Sequence, residues 1–142
     1  MKKLIITDSE QNITRNDIVE FEKEYHLKLP ENYIAFLLKY NGGEVYDEGS
    51  EGSEYIQSFN SLKYGTLTLE KTLYDYCIIE DLLDKDYLPI ANEYGGNPIT
   101  LCLKAGEDYG KIIIFYMDTT DDPQIIADSL EEVLGVKSID EL

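Results

Sequence analysis

Apolar and polar residues alternate most clearly in the second half of the chain. Ile99, Leu101 and Leu103 are separated by Thr and Cys, so one side of this segment faces a core. Shorter apolar runs lie on either side of it, at residues 88–91 and 112–117, and Gly, Asn and Pro separate the three runs. Such runs are typical of buried strands joined by turns. The pattern predicts an antiparallel sheet on which the other elements pack.

Helical periodicity appears elsewhere along the chain. It predicts four helices, over residues 14–26, 30–40, 66–83 and 125–134. Thr14, with Asp17 three residues later, forms a variant of the capping box. Pro30 suits the first turn of a helix, where its missing N–H costs nothing. The glycines of residues 41–43 suit a helix end because they accept a positive φ.

The predicted fold is α+β, a mostly antiparallel sheet with helices packed around it. A length of 142 residues suits a single domain, over residues 1–142, with a core of its own. Residues 4–6 could form a short edge strand or simply pack against the core, and residues 55–62 are expected to be a strand or an irregular edge. An edge strand at residues 4–6 or 55–59 could pair across a homodimer. The sequence is compatible with a monomer or a homodimer.

The net charge narrows the classes of partner. Twelve Lys and Arg against 29 Asp and Glu give a formal charge of −17. Nucleic acids and anionic membranes reward basic residues, so we expect the chain to bind neither. A strongly acidic surface suits a basic protein partner that approaches under electrostatic steering. The hydrophobic content of 43%, with 11% aromatic residues, excludes a wholly disordered chain.

The termini and the cysteines add little chemistry. The apolar run near the N-terminus is too short for a signal peptide, and no run approaches the length of a membrane span. We therefore expect a cytoplasmic protein. Cys77 and Cys102 each lie inside an apolar element and show no zinc or disulfide spacing, so we expect two buried thiols.

Motifs of enzymes are missing from the sequence. There is no nucleophile elbow, P-loop, dinucleotide fingerprint or metalloprotease His pair, and the one histidine, His26, closes a predicted helix. We predict that the chain is not an enzyme and holds no cofactor. Gly95, Gly96 and Asn97 resemble a phosphate cradle, but they lie between strands and lack a helix N-terminus. A tight turn is the preferred interpretation.

Two clusters of acids remain to be explained. Residues 44–54 carry five acids and no base, namely Glu44, Asp47, Glu48, Glu51 and Glu54. They indicate an exposed loop or an acidic contact surface, and they lack the ligand register of an EF-hand calcium site. The second cluster, Asp118, Asp121 and Asp122, invites a metal hypothesis. Turn residues at the end of a strand explain it more simply, so we predict no metal site.

Three stretches together resemble the SUKH superfamily, which includes fungal cell-wall-synthesis regulators and many bacterial immunity proteins. They are Leu29-Pro30-Glu31-Asn32-Tyr33 running through to Asn41-Gly42-Gly43, then Tyr64-Gly65-Thr66-Leu67, then Leu88-Pro89-Ile90-Ala91 followed by Gly95-Gly96-Asn97-Pro98. A strand start at Gly110-Lys111 follows them. The resemblance covers roughly residues 14–134, and the order and spacing of the motifs carry it.

The resemblance implies an α+β fold and a role that is not enzymatic. Bacterial members neutralise secreted polymorphic toxins, often nucleases, by direct binding. The resemblance implies structural roles for the matched residues Pro30, Asn41, Gly42, Gly43, Leu88, Pro89, Gly95, Gly96 and Asn97. The family often carries tryptophan near its first helices, whereas this chain has none and offers Phe21, Tyr33 and Phe36 instead.

The combined prediction is an immunity protein that captures a cognate basic toxin domain. We expect the loop acids to bind the toxin, with Tyr46 and Tyr55 as aromatic anchors. The aspartates at 118, 121 and 122 are a second choice of surface. An intracellular regulatory scaffold that binds housekeeping partners is the alternative, and a metal-binding or hydrolytic protein is a third.

Overall fold

The computed structural model describes residues 3–46, 51–79, 83–117 and 119–142. Within these residues one antiparallel sheet contains seven strands, and the strand order follows the chain order. The strands are β1 (Ile6–Thr7), β2 (Gly43–Val45), β3 (Ile56–Phe59), β4 (Tyr87–Glu93), β5 (Pro98–Cys102), β6 (Ile112–Ile114) and β7 (Gln124–Ala127). The helices are α1 (Arg15–Tyr25), α2 (Glu31–Lys39), α3 (Leu69–Leu73) and α4 (Leu130–Leu134). The predicted α+β class is therefore confirmed.

Local chemistry explains where the first two helices begin. Thr14 Oγ1 accepts a hydrogen bond from Asp17 N at 3.2 Å, and Asp17 Oδ2 accepts one from Thr14 N at 3.0 Å. This reciprocal pair is the predicted capping box. His26 ends α1 in the left-handed conformation. Pro30 precedes α2 as its N-cap, one position earlier than expected, with an extended backbone that Pro readily adopts.

The four helices bury apolar side chains in the same core. Phe21 of α1, Phe36 of α2, Leu73 of α3 and Leu134 of α4 all belong to one cluster that includes strand residues such as Ile99. Fully burying such a side chain stabilises the fold by about 1.5–3 kcal/mol. The strand positions in the cluster alternate with positions outside it, so all four helices lie on one face of the sheet.

A strand lies at residues 55–59 as expected, but the expectation that it is an edge strand is wrong. β3 lies inside the sheet, between β2 and β4, and the edges are β1 and β7. Ile56 and Phe59 are both buried. A strand with a neighbouring strand on each side shields such apolar residues from water better than an edge strand does. The other expected edge strand, residues 4–6, is found at the edge as β1, but it begins later, at Ile6, and shares only that residue with the prediction.

Two predicted helices are shorter in the structure. Thr68 caps α3 as expected, but α3 ends at Leu73 and a π-helical turn, Tyr74–Ile79, continues the chain. The helix expected over residues 125–134 divides into β7 and α4, separated by the N-cap Ser129. The apolar residues of β7 have helical spacing, but pairing with β6 decides the structure. The reason is that β7 supplies hydrogen-bond partners for the backbone groups on the otherwise unpaired edge of β6.

The described ends of the acidic segment 44–54 form regular structure, whereas a loop was expected. Glu44 and Val45 belong to β2, and Glu51–Glu54 form a 3₁₀ turn. Gly52 in this turn is buried, and a Cβ added to it would collide with Val133 O of α4. The glycine therefore lets the turn pack closely on the helix.

Candidate protein-binding surface

Three loops meet at one end of the sheet. Because successive strands are antiparallel, the connections that follow β2, β4 and β6 all lie at the same end. These connections are residues 46–55, 94–97 and 115–123. Together with Glu93, the last residue of β4, they form a surface that we call the acidic end.

The acidic end contains carboxylates but no lysine or arginine. Its acids among the described residues are Glu54, Glu93, Asp121 and Asp122, together with Glu51, of which the backbone is described. The connections at the opposite end mix both signs and contain Lys63, Lys71, Lys85, Lys104 and Lys111. This difference polarises the charge of the molecule along the strands, so a cationic partner is drawn towards the acidic end.

Tyr116 joins the two acidic clusters that the sequence suggested separately. Burial raises the pKa of its hydroxyl, and the groups of Glu93, Tyr55 and Asp121 raise it further. Glu93 ends β4, Tyr55 precedes β3 and Asp121 lies in the loop after β6, so groups from three parts of the acidic end act on one hydroxyl. Tyr116 Oη donates a hydrogen bond to Gln124 Oε1 at 2.9 Å, which ties the loop after β6 to β7.

Asn97 links two of the three loops. Its Nδ2 donates to Glu93 Oε1 at 2.8 Å, and its Oδ1 accepts from Met117 N at 3.0 Å. The turn before it requires Gly96, whose φ is +88°. A Cβ on Gly95 would lie 2.9 Å from Glu93 Oε1. The absence of a side chain at Gly95 therefore leaves room for the Glu93 carboxylate.

Two tyrosines at the acidic end are strongly exposed. Tyr46 follows β2 and is 78% exposed, and Tyr94 follows β4 and is 60% exposed. Tyr55 is half-buried and packs against the core. Exposed tyrosines beside carboxylates supply large contact area with a polar tip, which is the composition of many protein interfaces.

The structure places the predicted contact residues unevenly. Glu54, Tyr46, Asp121 and Asp122 are exposed at the acidic end. Asp47, Glu48 and Asp118 lie outside the described residues, and for Glu51 only the backbone is described. Glu44 is elsewhere, because it pairs with Ser58 in the middle of β2 and β3 and faces away from the core.

Asn41 has the most contacts among the motif residues expected to be structural. Its buried side chain donates to Gln11 O at 2.8 Å and to Leu62 O at 2.9 Å, and accepts from Leu62 N at 2.7 Å. Next to it Gly42 and Gly43 adopt φ of +74° and +132°. Leu88 and Pro89 are buried in β4.

Sequence reasoning missed Glu93, Tyr94 and Tyr116 as members of the surface. The signal that could have found them is topological, since every second connection of a meander returns to the same end. The sequence predicted an antiparallel sheet without an order of strands, so the residues that end β4 and follow β6 became candidates only once the structure showed a meander.

Metal-binding groups are not apparent in the part of the chain that the structure describes. There, no three His, Cys, Asp or Glu side chains are grouped to hold an ion. Cys102 is buried as expected, whereas Cys77 is only half-buried.

Comparison with known proteins agrees with the sheet and helices. The sequence pattern of the SMI1 / KNR4 family (SUKH-1) matches residues 12–135, which confirms the resemblance seen over residues 14–134. A stretch of 50 residues is 34% identical to YobM, an uncharacterized protein of Bacillus subtilis (strain 168). That stretch covers 35% of this chain and 27% of the relative, so it spans only about a quarter of the relative's length.

These findings set the class of role. The family supports a role like that of immunity proteins or of the SMI1 / KNR4 proteins. None of the helices in the described ranges has the length and apolar character needed to cross a bilayer. On the extent of the match and the fold, the chain belongs to the SMI1 / KNR4 family (SUKH-1).

Proposed function

We propose that the chain is an immunity protein that binds and neutralises a cognate secreted toxin, a nuclease, at its acidic end. The observation that supports this proposal is the meeting of three loops that carry carboxylates and tyrosines but no lysine or arginine. In this proposal the chain acts in the cytoplasm as a single non-catalytic domain.

Electrostatics gives the proposal its physical basis. A nuclease needs a basic groove for the phosphates of its substrate. Carboxylates at the acidic end can occupy that groove and exclude the nucleic acid. A net charge of −17 also speeds the encounter with a basic protein, by an amount that falls as salt screens it.

The exposed tyrosines would supply the short-range part of the contact. Tyr46 and Tyr94 project beside the carboxylates and lose much water-exposed area when a partner covers them. Tyrosine has few rotatable bonds, so fixing it at an interface costs little conformational entropy. Charge would then govern the rate of arrival, and the tyrosines would slow dissociation.

The direct test pairs the chain with the C-terminal domain of a secreted toxin encoded beside its gene. The triple variant Glu54→Gln, Asp121→Asn, Asp122→Asn removes three charges from the acidic end. We expect it to bind the toxin domain at least about tenfold more weakly and to have a flatter salt dependence. Cells that produce the toxin domain should survive with the wild-type chain and lose protection with the variant.

A matched control separates local contact from total charge. Glu20→Gln, Glu107→Gln and Asp128→Asn change the net charge equally, at exposed acids outside the acidic end. This control should keep affinity and protection. Equal weakening by both triple variants would show that only net charge matters, and unchanged affinity in both would remove the acidic end from the interface.

A regulatory scaffold is the second candidate, favoured by the match to the SMI1 / KNR4 family itself. Such a protein would bind housekeeping proteins and would be needed in cells without any toxin. Deleting its gene in a strain that lacks the toxin distinguishes the two. A growth or cell-wall defect supports the scaffold, whereas normal growth supports immunity.

A further inference from the structure

The face of the sheet opposite the helices is a second surface of interest, which we call the outer face. All four described helices bury their apolar residues in the single core on the other face. Strand residues that alternate with the core positions therefore point to a face without a helix among the described residues. One half of this face is apolar, and the other half contains a cleft.

The apolar half is a row across four strands. Pro89, Thr100, Ile113 and Ile125 lie opposite one another in the register of β4 to β7. Thr100 is 0% and Ile113 5% exposed, and Ile125 at the edge is 46% exposed.

Two aromatic residues cover the middle of this row. The rings of Tyr87 and Phe115 meet edge to face with centroids 5.2 Å apart. They lie on either side of Thr100 along β5, because Tyr87 is opposite Cys102 and Phe115 N bonds Pro98 O. The pair thus flanks the position of Thr100, which is fully buried on a face without a described helix.

The other half of the outer face is an acidic cleft of about 390 Å³. Three acids line it, namely Asp8, Glu10 and Glu44, together with Ser58, which pairs with Glu44 in the neighbouring strand. Leu67 also lines the cleft and is half-exposed. The cleft therefore offers carboxylates for a cation and apolar surface for its aliphatic stem.

None of the ion pairs among the described residues involves the three carboxylates of the cleft. Those ion pairs involve Asp17, Glu31, Asp75 and Asp108 instead. Three like charges facing one cavity repel one another, and a cation relieves that repulsion. The cleft is large enough for the extended side chain of an arginine, whose fork can bond two carboxylates at once.

We infer that the outer face is a docking surface for a basic protein segment, which places an arginine in the Asp8–Glu10–Glu44 cleft. An apolar residue of the same segment covers Ile125 and the neighbouring aromatic pair. The inference rests on the proposed function only in taking the partner to be a basic protein, and it concerns a different face. A second copy of this chain would bring another charge of −17, and nucleic acid would meet carboxylates.

A peptide probe tests the inference without knowledge of the natural partner. The acetylated, amidated peptide Gly-Arg-Leu-Arg-Gly is titrated into the ¹⁵N-labelled chain at low salt and followed by NMR. We expect amide shifts at residues 43–44, 57–58 and 66–67 and none at residue 125, because a peptide of five residues held in the cleft does not extend across the sheet to β7. A matched peptide with Glu in place of Arg should cause no shifts.

Charge variants decide whether the cleft itself binds the arginine. Asp8→Asn, Glu10→Gln, Glu44→Gln should weaken binding of the peptide by about tenfold. The control Glu20→Gln, Glu107→Gln, Asp128→Asn has the same net charge and should stay within about twofold. Equal weakening by both would overturn the inference, because only general attraction would then remain.

The positions of the shifts separate this inference from the proposed function. Shifts confined to residues 46, 54–55, 94 and 119–122 would overturn docking at the outer face and leave the acidic end as the contact. Shifts at the cleft with full toxin binding by the cleft variant would support a separate docking site. No shift anywhere would overturn the inference and leave the toxin assay to decide the proposed function.

Discussion

At the scale of single residues, Asn41 joins three parts of the chain. Its amide bonds the carbonyls of residues 11 and 62 and the N–H of residue 62, and the side chain is 1% exposed. These backbone groups lie in loops, outside the sheet and the helices. A buried amide with both a donor and an acceptor can satisfy them, and few other side chains can.

Replacing Asn41 with Ala should destabilise the fold by about 3 kcal/mol, because it leaves buried backbone groups without partners. The free energy of unfolding in urea measures this loss. Asn16→Ala is the control, since Asn16 is exposed and makes one weak contact to Glu20 at 3.4 Å. A loss for Asn41→Ala no larger than that of the control would show that water replaces the amide.

Asp17 should make the stability of the chain depend on acid pH. Hydrogen bonds from Thr14 N and then from Lys63 hold the pKa of this carboxyl below its ordinary value of 3.8. The contribution is therefore present above about pH 4 and is lost as pH falls through the lowered pKa of the folded state. Asp17→Asn should be less stable than the wild type at pH 7, and the difference should shrink below pH 4.

Glu70 should show the opposite sign. Burial raises its pKa above 4.5 despite the hydrogen bond from Lys63 N at 2.9 Å. A raised pKa in the folded state means that stability is lost as pH rises through it. Glu70→Gln keeps an acceptor without the charge, so its stability relative to the wild type should improve above pH 4.5. Parallel pH profiles for the two variants would contradict both assignments.

At the scale of elements, two glycines with similar backbones differ in what surrounds them. Gly43 and Gly106 adopt φ of +132° and +138°. A Cβ on Gly43 would lie 2.7 Å from Thr7 O of β1, whereas one on Gly106 would meet nothing within 4 Å. The backbone strain of an alanine is thus comparable, and only the clash differs.

Gly43→Ala should therefore cost about 2 kcal/mol more than Gly106→Ala in the free energy of unfolding. The clash should also detach β1 from β2, which hydrogen exchange of the amides at Ile6 and Val45 would report. Equal costs with unchanged exchange would show that β1 moves aside freely.

Elements with strong local determinants were predictable from the sequence. The Thr14 capping box and the alternation around Ile99 gave α1 and the central strands, because neighbouring residues decide both structures. The β7 strand was missed, because its apolar residues also fit a helix. Only pairing of Ile125 with Ile113 of β6 decides between the two.

The sequence predicted which kinds of residue form the candidate surface. It did not predict which of those residues the fold brings together. The acids and Tyr46 stood out in the sequence, whereas the meeting of Tyr55 and Asp121 around Tyr116 depends on the sheet. Glu44 was grouped with the loop by its position in the chain. The alternation of a strand directs its side chain to the outer face instead.

At the scale of the whole molecule, the two proposed surfaces share a border. The β2 strand places Glu44 on the outer face and leads directly to Tyr46 at the acidic end. A typical stable interface covers about 800 Å² on each partner. One basic partner of ordinary size could thus contact both surfaces, so combining the two triple charge variants should weaken binding more than either does alone.

The agreement of strand order with chain order has a consequence for the kinetics of folding. Strands β4 to β7 lie within residues 87–127 and need only short loops to pair. Pairing of β1 with β2 must instead close residues 8–42, and pairing of β3 with β4 must close residues 60–86. Closing a longer loop costs more entropy before its contacts form, so we expect β4 to β7 to form the nucleus.

Two identical truncations compare the halves of the sheet. Ile99 of β5 and Ile56 of β3 are both fully buried, and replacing each with Val should cost about 1 kcal/mol. Stopped-flow measurements should show that Ile99→Val chiefly slows folding, whereas Ile56→Val chiefly speeds unfolding. The reverse pattern would place the folding nucleus in strands β1 to β3. The helices between those strands would then be the elements that order the sheet early in folding.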